Sequence, residues 1–465
     1  MSEIILDSIQ EDAVKQLLAK KRYCLFWDVG VGKTYAILSR LAQFNRRMKV
    51  LILAPAVVID KMWTKEQEDD WFGVFEQHEV EMHSFEWLAW NRSEYVINKQ
   101  GIRVKKVTNN NIHKLGHTVY DVIIIDEAHR LSSPAYKTKV ARYVSRLTKY
   151  AEYAYALSGT PAPNGYQDLY PLLHNLGISI WKDYDYNTFL RVYFKGYELK
   201  LPHATIYKPD GLRPNMKQEF MNDITPYCMF AQKQRTWEIL PPIDVFVKPT
   251  LTPLYYDALN NILTDINGRQ TTTTGIIGFG RAYMLLNGFQ YVLGMDGNNE
   301  TIEYFENPKL IKLQSILKDE FKEQNCVLVT YNFKQDLRAL TTMFQRQGIA
   351  YTDNLEVARS MKTNFVYLLQ LKKGIGINLQ DLTGTVIFYT YDFSYVDYDQ
   401  TIGRIDRRGQ ERTVKIYRLI FNGTIEQNII LRAIEAKQRV DYALKTNAAR
   451  RLIGKEVKNY GYPSV

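Results

Sequence analysis

The chain has 465 residues, 46% hydrophobic and 24% charged, which is ordinary for a soluble protein and too long for a single core, so two domains of roughly 150 to 250 residues are expected. It shows no long uninterrupted apolar span and no charged-then-apolar leader, which argues against a membrane or secreted protein and for a cytoplasmic one. The formal charge of +10 favours a polyanionic partner, and the three cysteines, Cys24, Cys228 and Cys326, are too far apart to suggest a zinc cluster or a disulfide framework and read as small core residues.

In chain order, short apolar runs are each followed by a turn and a helical pattern: Tyr23 to Trp27, Val50 to Ala54, Val122 to Ile125 and Ala154 to Ser158. Near-continuous apolar strands alternating with helices predict a parallel sheet covered on both faces. The rhythm returns at Cys326 to Tyr331, Phe365 to Leu369, Val386 to Tyr391 and Val414 to Ile420, which predicts a second α/β half. Between the halves the alternation weakens and the chain becomes aromatic and basic, with Leu240-Pro241-Pro242 as its strongest break. The expected division is a first domain over 1–232 with an aromatic and basic insertion near 175–230, a linker over 233–242, and a second domain over 243–465. Thr271 to Thr274, followed by Gly275, Gly278 and Gly280, reads as a flexible loop. Thr424-Ile425-Glu426-Gln427 has capping-box spacing and opens a helical pattern to about Lys445. The 33 tyrosines could stack on bases, but more often such residues fill cores and interfaces.

Two local patterns carry chemistry. Gly30-Val31-Gly32-Lys33-Thr34 follows a predicted strand and opens a predicted helix. There the backbone N–H groups of the loop can cradle phosphates, Lys33 can reach the β and γ phosphates of ATP, and Thr34 can hold Mg2+. Trp27 stands where the general P-loop pattern has its first glycine. The apolar strand Ile123-Ile124-Ile125 then ends in Asp126-Glu127-Ala128-His129. Paired acids at a strand end suit a site where magnesium and an attacking water are held beside a γ-phosphate: Asp126 for the metal, Glu127 to orient and deprotonate the water. His113 and His117 have helical metal-pair spacing, but Lys114 stands where a zinc protease needs glutamate, so they read as loop or surface residues. The basic stretch Lys99 to Lys106 reads as solvated surface before it reads as a phosphate contact.

The order of these patterns resembles superfamily 2 helicases of the Swi/Snf-like type. Asp126 to His129 reads D-E-A-H, as the second motif of that superfamily does; Ser158-Gly159-Thr160-Pro161 with Asn164 resembles the third. Gln400-Thr401-Ile402-Gly403-Arg404-Ile405-Asp406-Arg407-Arg408-Gly409-Gln410 is similar to the sixth motif, Q-x-x-G-R-x-x-R-x-G-Q. Ile9-Gln10 resembles the upstream glutamine motif, Pro55 with Trp63 and Glu66 motif Ia, Ser84-Phe85-Glu86 motif Ib, and Gly374-Ile375-Gly376-Ile377-Asn378-Leu379 motif V. Leu240-Pro241-Pro242, Pro308-Lys309-Leu310 and Val414 through Glu426 match in style, and the resemblance is weakest from about 175 to 230.

The resemblance implies two RecA-like α/β domains with parallel sheets and a nucleotide cleft between them. It implies nucleotide binding by Gln10, Gly30, Val31, Gly32, Lys33, Thr34 and Gly376, and catalysis by Lys33, Asp126, Glu127, Gln400, Arg404 and Arg407. Thr34 and Asp126 become the magnesium ligands, and His129, Ser158 and Thr160 the coupling residues. Arg404 and Arg407 lie on the second half, so they stabilise charge on the transferring phosphoryl group only when the halves close over ATP. DNA, duplex or branched, is the implied track, gripped through its backbone. A chain so free of added modules looks like a bacteriophage branch-migration helicase of the T5 kind. Three other tasks stay open: a conventional DNA or RNA helicase, an ATP-gated clamp, and a motor that displaces RNA polymerase.

Overall fold

The computed structural model of the protein describes residues 6–453 apart from 90, 98–102, 112–114, 116–117, 133–137, 202–203, 265–269, 294–298 and 374–376. The chain divides into two units, Met1–Gln234 with Lys437–Lys458 and Arg235–Ala436 with Asn459–Val465. Each is built on one sheet of six strands, and every neighbouring pair of strands is parallel.

In the first unit the strands are β1 (Arg22–Trp27), β2 (Lys49–Ala54), β3 (Glu79–Ser84), β4 (Val122–Ile125), β5 (Tyr153–Leu157) and β6 (Cys228–Ala231), in the order β6-β1-β5-β4-β2-β3. The four predicted strands are the four inner ones. Their apolar runs are buried nearly throughout because helices cover both faces. The edges, β3 and β6, escape that pattern. Glu79–Ser84 alternates polar residues along its solvent side, and Cys228–Ala231 is too short to stand out within an aromatic segment. β6 brings Cys228 opposite Cys24 in register; both thiols are free and buried.

The stretch expected as an insertion near 175–230 holds a helix (Tyr186–Tyr193), a hairpin (Phe194–Leu201 with Ala204–Leu212) and a second helix (Lys217–Ile224) before it returns as β6. Its aromatic residues pack on one another: Trp181 lies 4.6 Å from Phe189 and 5.5 Å from Phe220, centroid to centroid. These side chains extend the hydrophobic core of the first unit.

In the second unit the strands are β7 (Ile243–Val247), β8 (Cys326–Tyr331), β9 (Ala350–Thr352), β10 (Phe365–Gln370), β11 (Thr385–Phe388) and β12 (Lys415–Phe421), in the order β7-β12-β11-β8-β10-β9. Alternate residues enter opposite cores, Cys326, Leu328, Phe365 and Tyr367 one of them, Val327, Val329, Val366 and Leu368 the other. Both faces are therefore covered, as expected for RecA-like α/β units.

Two expectations need correction. The glycine-rich segment read as a flexible loop is the helix Gly275–Leu286. Gly278 serves packing: a Cβ there would strike the Ala258 carbonyl at 2.5 Å, so this helix approaches the helix Pro253–Leu259 more closely than a side chain permits. The segment opened by Thr424 starts as a π-helical turn (Glu426–Leu431) and continues as the helix Arg432–Ile453, past the predicted Lys445. From Lys437 onward it belongs to the first unit, whose core includes the fully buried Leu444. Among the described residues no helix is long and apolar enough to cross a membrane.

Candidate functional site

Parallel pairing places the carboxyl ends of all the strands of a sheet at one edge, where α/β proteins hold their ligands. In the first unit the loops leaving β1, β4 and β5 at this edge carry Asp28–Gly32, Asp126–His129 and Ser158–Asn164.

The loop after β1 turns through Gly30 and Gly32, at φ +86° and +88°, values that L side chains resist. Gly32 is the N-cap of the helix α1 (Lys33–Leu41) and offers no side-chain cap, which leaves the first N–H groups of the helix directed at whatever approaches. Lys33 Nζ donates to the carbonyls of Trp27 at 2.9 Å and Asp28 at 3.1 Å. Burial pushes the Lys33 ammonium below its usual pKa, while Glu127 and Asp126 act in the opposite sense. Gln10 is 5% exposed; its Oε1 accepts from Asp7 N and its Nε2 donates to Val31 O at 3.3 Å, so it backs the loop, and a Cβ at Gly32 would collide with its amide. Val31 and Thr34 are half-buried beside it.

Asp126 follows β4, buried, with its carboxylate accepting from Trp63 Nε1 at 3.1 Å and from Glu127 N at 2.9 Å. Burial and the adjacent Glu127 push its carboxyl up to about 6, against the pull of Lys33 and the Trp63 N–H. Glu127 sits at φ +50°, a left-handed conformation that costs a non-glycine residue on the order of 1–3 kcal/mol and recurs at functional sites. His129 Nδ1 lies 3.2 Å from both Glu127 Oε2 and Ser158 Oγ, and Ser158 Oγ accepts from Thr160 N at 3.2 Å. A polar chain thus runs from the acid pair to the end of β5. Glu86 accepts from Ala56 N at 3.0 Å and from Arg130 at 2.6 Å, so Pro55–Trp63, Ser84–Glu86 and the segment after Asp126 form one network.

In the second unit Gln400 is buried near the end of the helix α2 (Tyr395–Ile402), and the loop after it carries both arginines. Arg404 is 5% exposed and donates to Ile377 O at 3.4 Å; Arg407 donates to Asn378 Oδ1, and burial lowers its pKa. Gln410 pins the loop by donating to the Thr383 and Ile405 carbonyls, both at 2.9 Å. Gly376, His113, His117 and Lys99 lie outside the described residues.

Sequence reasoning left out three contributors: Trp63 as a donor to Asp126, Asp28 as a half-buried carboxylate in the glycine loop after β1, and Lys445, whose ammonium meets Asp28 at 2.6 Å. An acid inside the loop was the available signal for Asp28. Nothing local marks Lys445.

Comparison with known proteins matches residues 10–241 to the model of the SNF2-related domain. The first unit, with its glycine loop and acid pair, lies largely within that match. Over residues 10–241 the chain is similar to that domain. It is similar to the DNA repair and recombination protein RAD54B of Gallus gallus, 24% identical in an alignment 480 positions long that covers 88% of this chain and 50% of the relative. The chain therefore spans about half the length of that curated relative. It is also similar to putative protein p41 of Acyrthosiphon pisum secondary endosymbiont phage 1, at 24% identity over 90% of this chain and 93% of that one. Among solved structures it aligns with the Sulfolobus solfataricus SWI2/SNF2 ATPase core in complex with dsDNA, at 18% identity, 98% coverage of both chains and a TM-score of 0.39.

Proposed function

We propose that the chain is an ATP-driven translocase that moves along duplex DNA and remodels branched DNA, moving junctions and processing forks in phage or bacterial replication, recombination and repair. The observation that carries the ATPase part is the gathering of Lys33, Thr34, Asp126 and Glu127 at one edge of one sheet, with His129, Ser158 and Thr160 linked behind them. In this reading the loop N–H groups and Lys33 hold the phosphates, and Glu127 orients the attacking water and takes its proton. Thr34 and Asp126 are the donors for Mg2+, a hydroxyl and a carboxylate of the hard oxygen type this ion takes; bound there it neutralises charge on the phosphates. Arg404 and Arg407 stabilise the transferring phosphoryl group when the second domain closes on ATP. Gln400 and Gly376 complete that side, and Gln10 supports the adenine end.

Hydrolysis then reopens the closed state, and grips on the DNA backbone that alternate between domains turn this cycle into movement. The relative named for DNA repair and recombination supports a DNA-remodelling task, and the phage protein of nearly equal length supports a phage setting. At a junction, rewinding behind the motor offsets melting ahead of it, so each step exchanges one base pair for another of similar stability. The test is ATP hydrolysis measured without nucleic acid and with single strands, linear duplex, a four-way junction and RNA, alongside gel assays of junction and duplex of matched length. Stimulation by duplex and junction with junction movement is expected. Efficient unwinding of plain duplex without junction processing would overturn the branched-DNA reading.

A further inference from the structure

Two stretches of chain join the units, one leaving the first unit after Gln234 and one re-entering it at Lys437. Both are fastened to the same side chain of the phosphate loop. Asp28 Oδ2 accepts from the backbone N–H of Lys233 at 2.9 Å, and Asp28 Oδ1 accepts from Lys445 Nζ at 2.6 Å. Lys445 is 3% exposed and also pairs with Asp441, one helical turn earlier, at 2.6 Å. Beside it the Thr446 hydroxyl accepts from Gln232 Nε2 at 3.3 Å, so the two stretches are tied to one another as well.

The first stretch has a second anchor among residues of the second unit. Arg235 donates to the carboxylate of Asp406 through Nε at 2.9 Å and Nη2 at 2.7 Å, and Trp237 Nε1 donates to it at 2.9 Å. Asp406 is 3% exposed and stands between Arg404 and Arg407. A two-pronged guanidinium–carboxylate pair fixes direction as well as distance.

We propose that Asp28 and Asp406 are positioning residues for ATP hydrolysis, joined by the segment 233–237 acting as a strap that passes displacement between the phosphate loop and the arginine loop. The Asp28 carbonyl holds Lys33 Nζ, so a shift of Asp28 is a shift of Lys33. A shift of Asp406 carries its two arginine neighbours. Gln234 alone separates the anchored residues Lys233 and Arg235, which leaves little slack. The inference rests on the ATPase reading above.

The test inserts three glycines between Gln234 and Arg235, which keeps every anchor but adds about 10 Å of slack. DNA-stimulated kcat should fall about tenfold or more, with the ATP KM changed less than about twofold, because alignment matters most in the transition state. The melting temperature should be that of the wild type. As a second measurement, Arg235→Asp and Asp406→Arg should each lower kcat, and the two together should recover most of it. A wild-type kcat in the insertion variant would overturn the strap while leaving the ATPase reading intact. Equal loss through kcat and KM that tracks a lowered melting temperature, with no recovery in the swapped pair, would reduce these contacts to scaffolding and overturn it too. No hydrolysis by the wild type with any nucleic acid would overturn both readings.

Discussion

Lys309→Met removes an ammonium from a site that water does not reach. Lys309 and Glu426 are both fully buried, with Nζ and Oε1 2.5 Å apart. Lys309 Nζ also donates to the Tyr389 carbonyl at 2.9 Å and lies 4.6 Å from the centre of the Phe421 ring. The Glu426 carboxylate accepts in addition from the Tyr283 hydroxyl at 3.2 Å and from Phe421 N at 2.6 Å. Burial lowers the Lys309 pKa while Glu426 opposes it, so each charge depends on the other being present. Methionine fills a similar volume but leaves a buried carboxylate with neutral donors alone, a loss of about 3–5 kcal/mol. In a domain of this size each kcal/mol moves the melting temperature by about 2–4 °C, so the transition of the second unit should fall by roughly 6–20 °C. Adding Glu426→Gln removes the stranded charge, and the double variant should regain most of the loss, since neutral groups in place of a buried pair are close to neutral in stability. Calorimetry of the wild type, both single variants and the double variant measures this. A Lys309→Met chain melting within about 2 °C of the wild type, or a double variant no more stable than that single one, would refute the reasoning.

Lys33→Ala and Glu127→Gln should each abolish ATP turnover and spare DNA binding, with Glu127→Gln still binding ATP; near-normal hydrolysis by either folded variant would sink the site assignment. Arg407→Ala should lower kcat by about a thousandfold or more and change ATP affinity far less, and steady-state kinetics showing a rise in KM alone would count against an arginine acting on the transition state. DNA affinity should fall steeply with added salt and vary little between unrelated sequences of equal length and shape; a flat dependence of log affinity on log salt would contradict backbone-dominated binding.

The features legible along the chain are those that short-range pattern encodes. Runs such as Val122 to Ile125 need burial on both faces wherever the rest of the chain goes, so the inner strands were legible. Gly30 to Thr34 stands out because two glycines and a helix start fall within a few residues, and the structure places both glycines in the left-handed region. The second unit's strands yielded to the same reasoning, short of its edges. Edge strands were not legible, since one free side relaxes the demand for apolar residues and leaves little to see in Glu79–Ser84. The glycines at 275, 278 and 280 misled because glycine permits a loop as readily as a close helix contact, and the Ala258 carbonyl that makes the close contact at Gly278 comes from another helix.

Tertiary structure alone decided the partners of the buried charges. Trp63 reaches Asp126 from 63 residues away, Arg235 reaches Asp406 from 171, and Lys445 reaches Asp28 from 417. Pro308-Lys309-Leu310 and Thr424 to Glu426 were each noticeable as stretches of sequence, but their joining through Lys309 and Glu426 was not. A lysine or aspartate in sequence is a solvated charge by default, and what takes it out of water is the folding of distant chain over it.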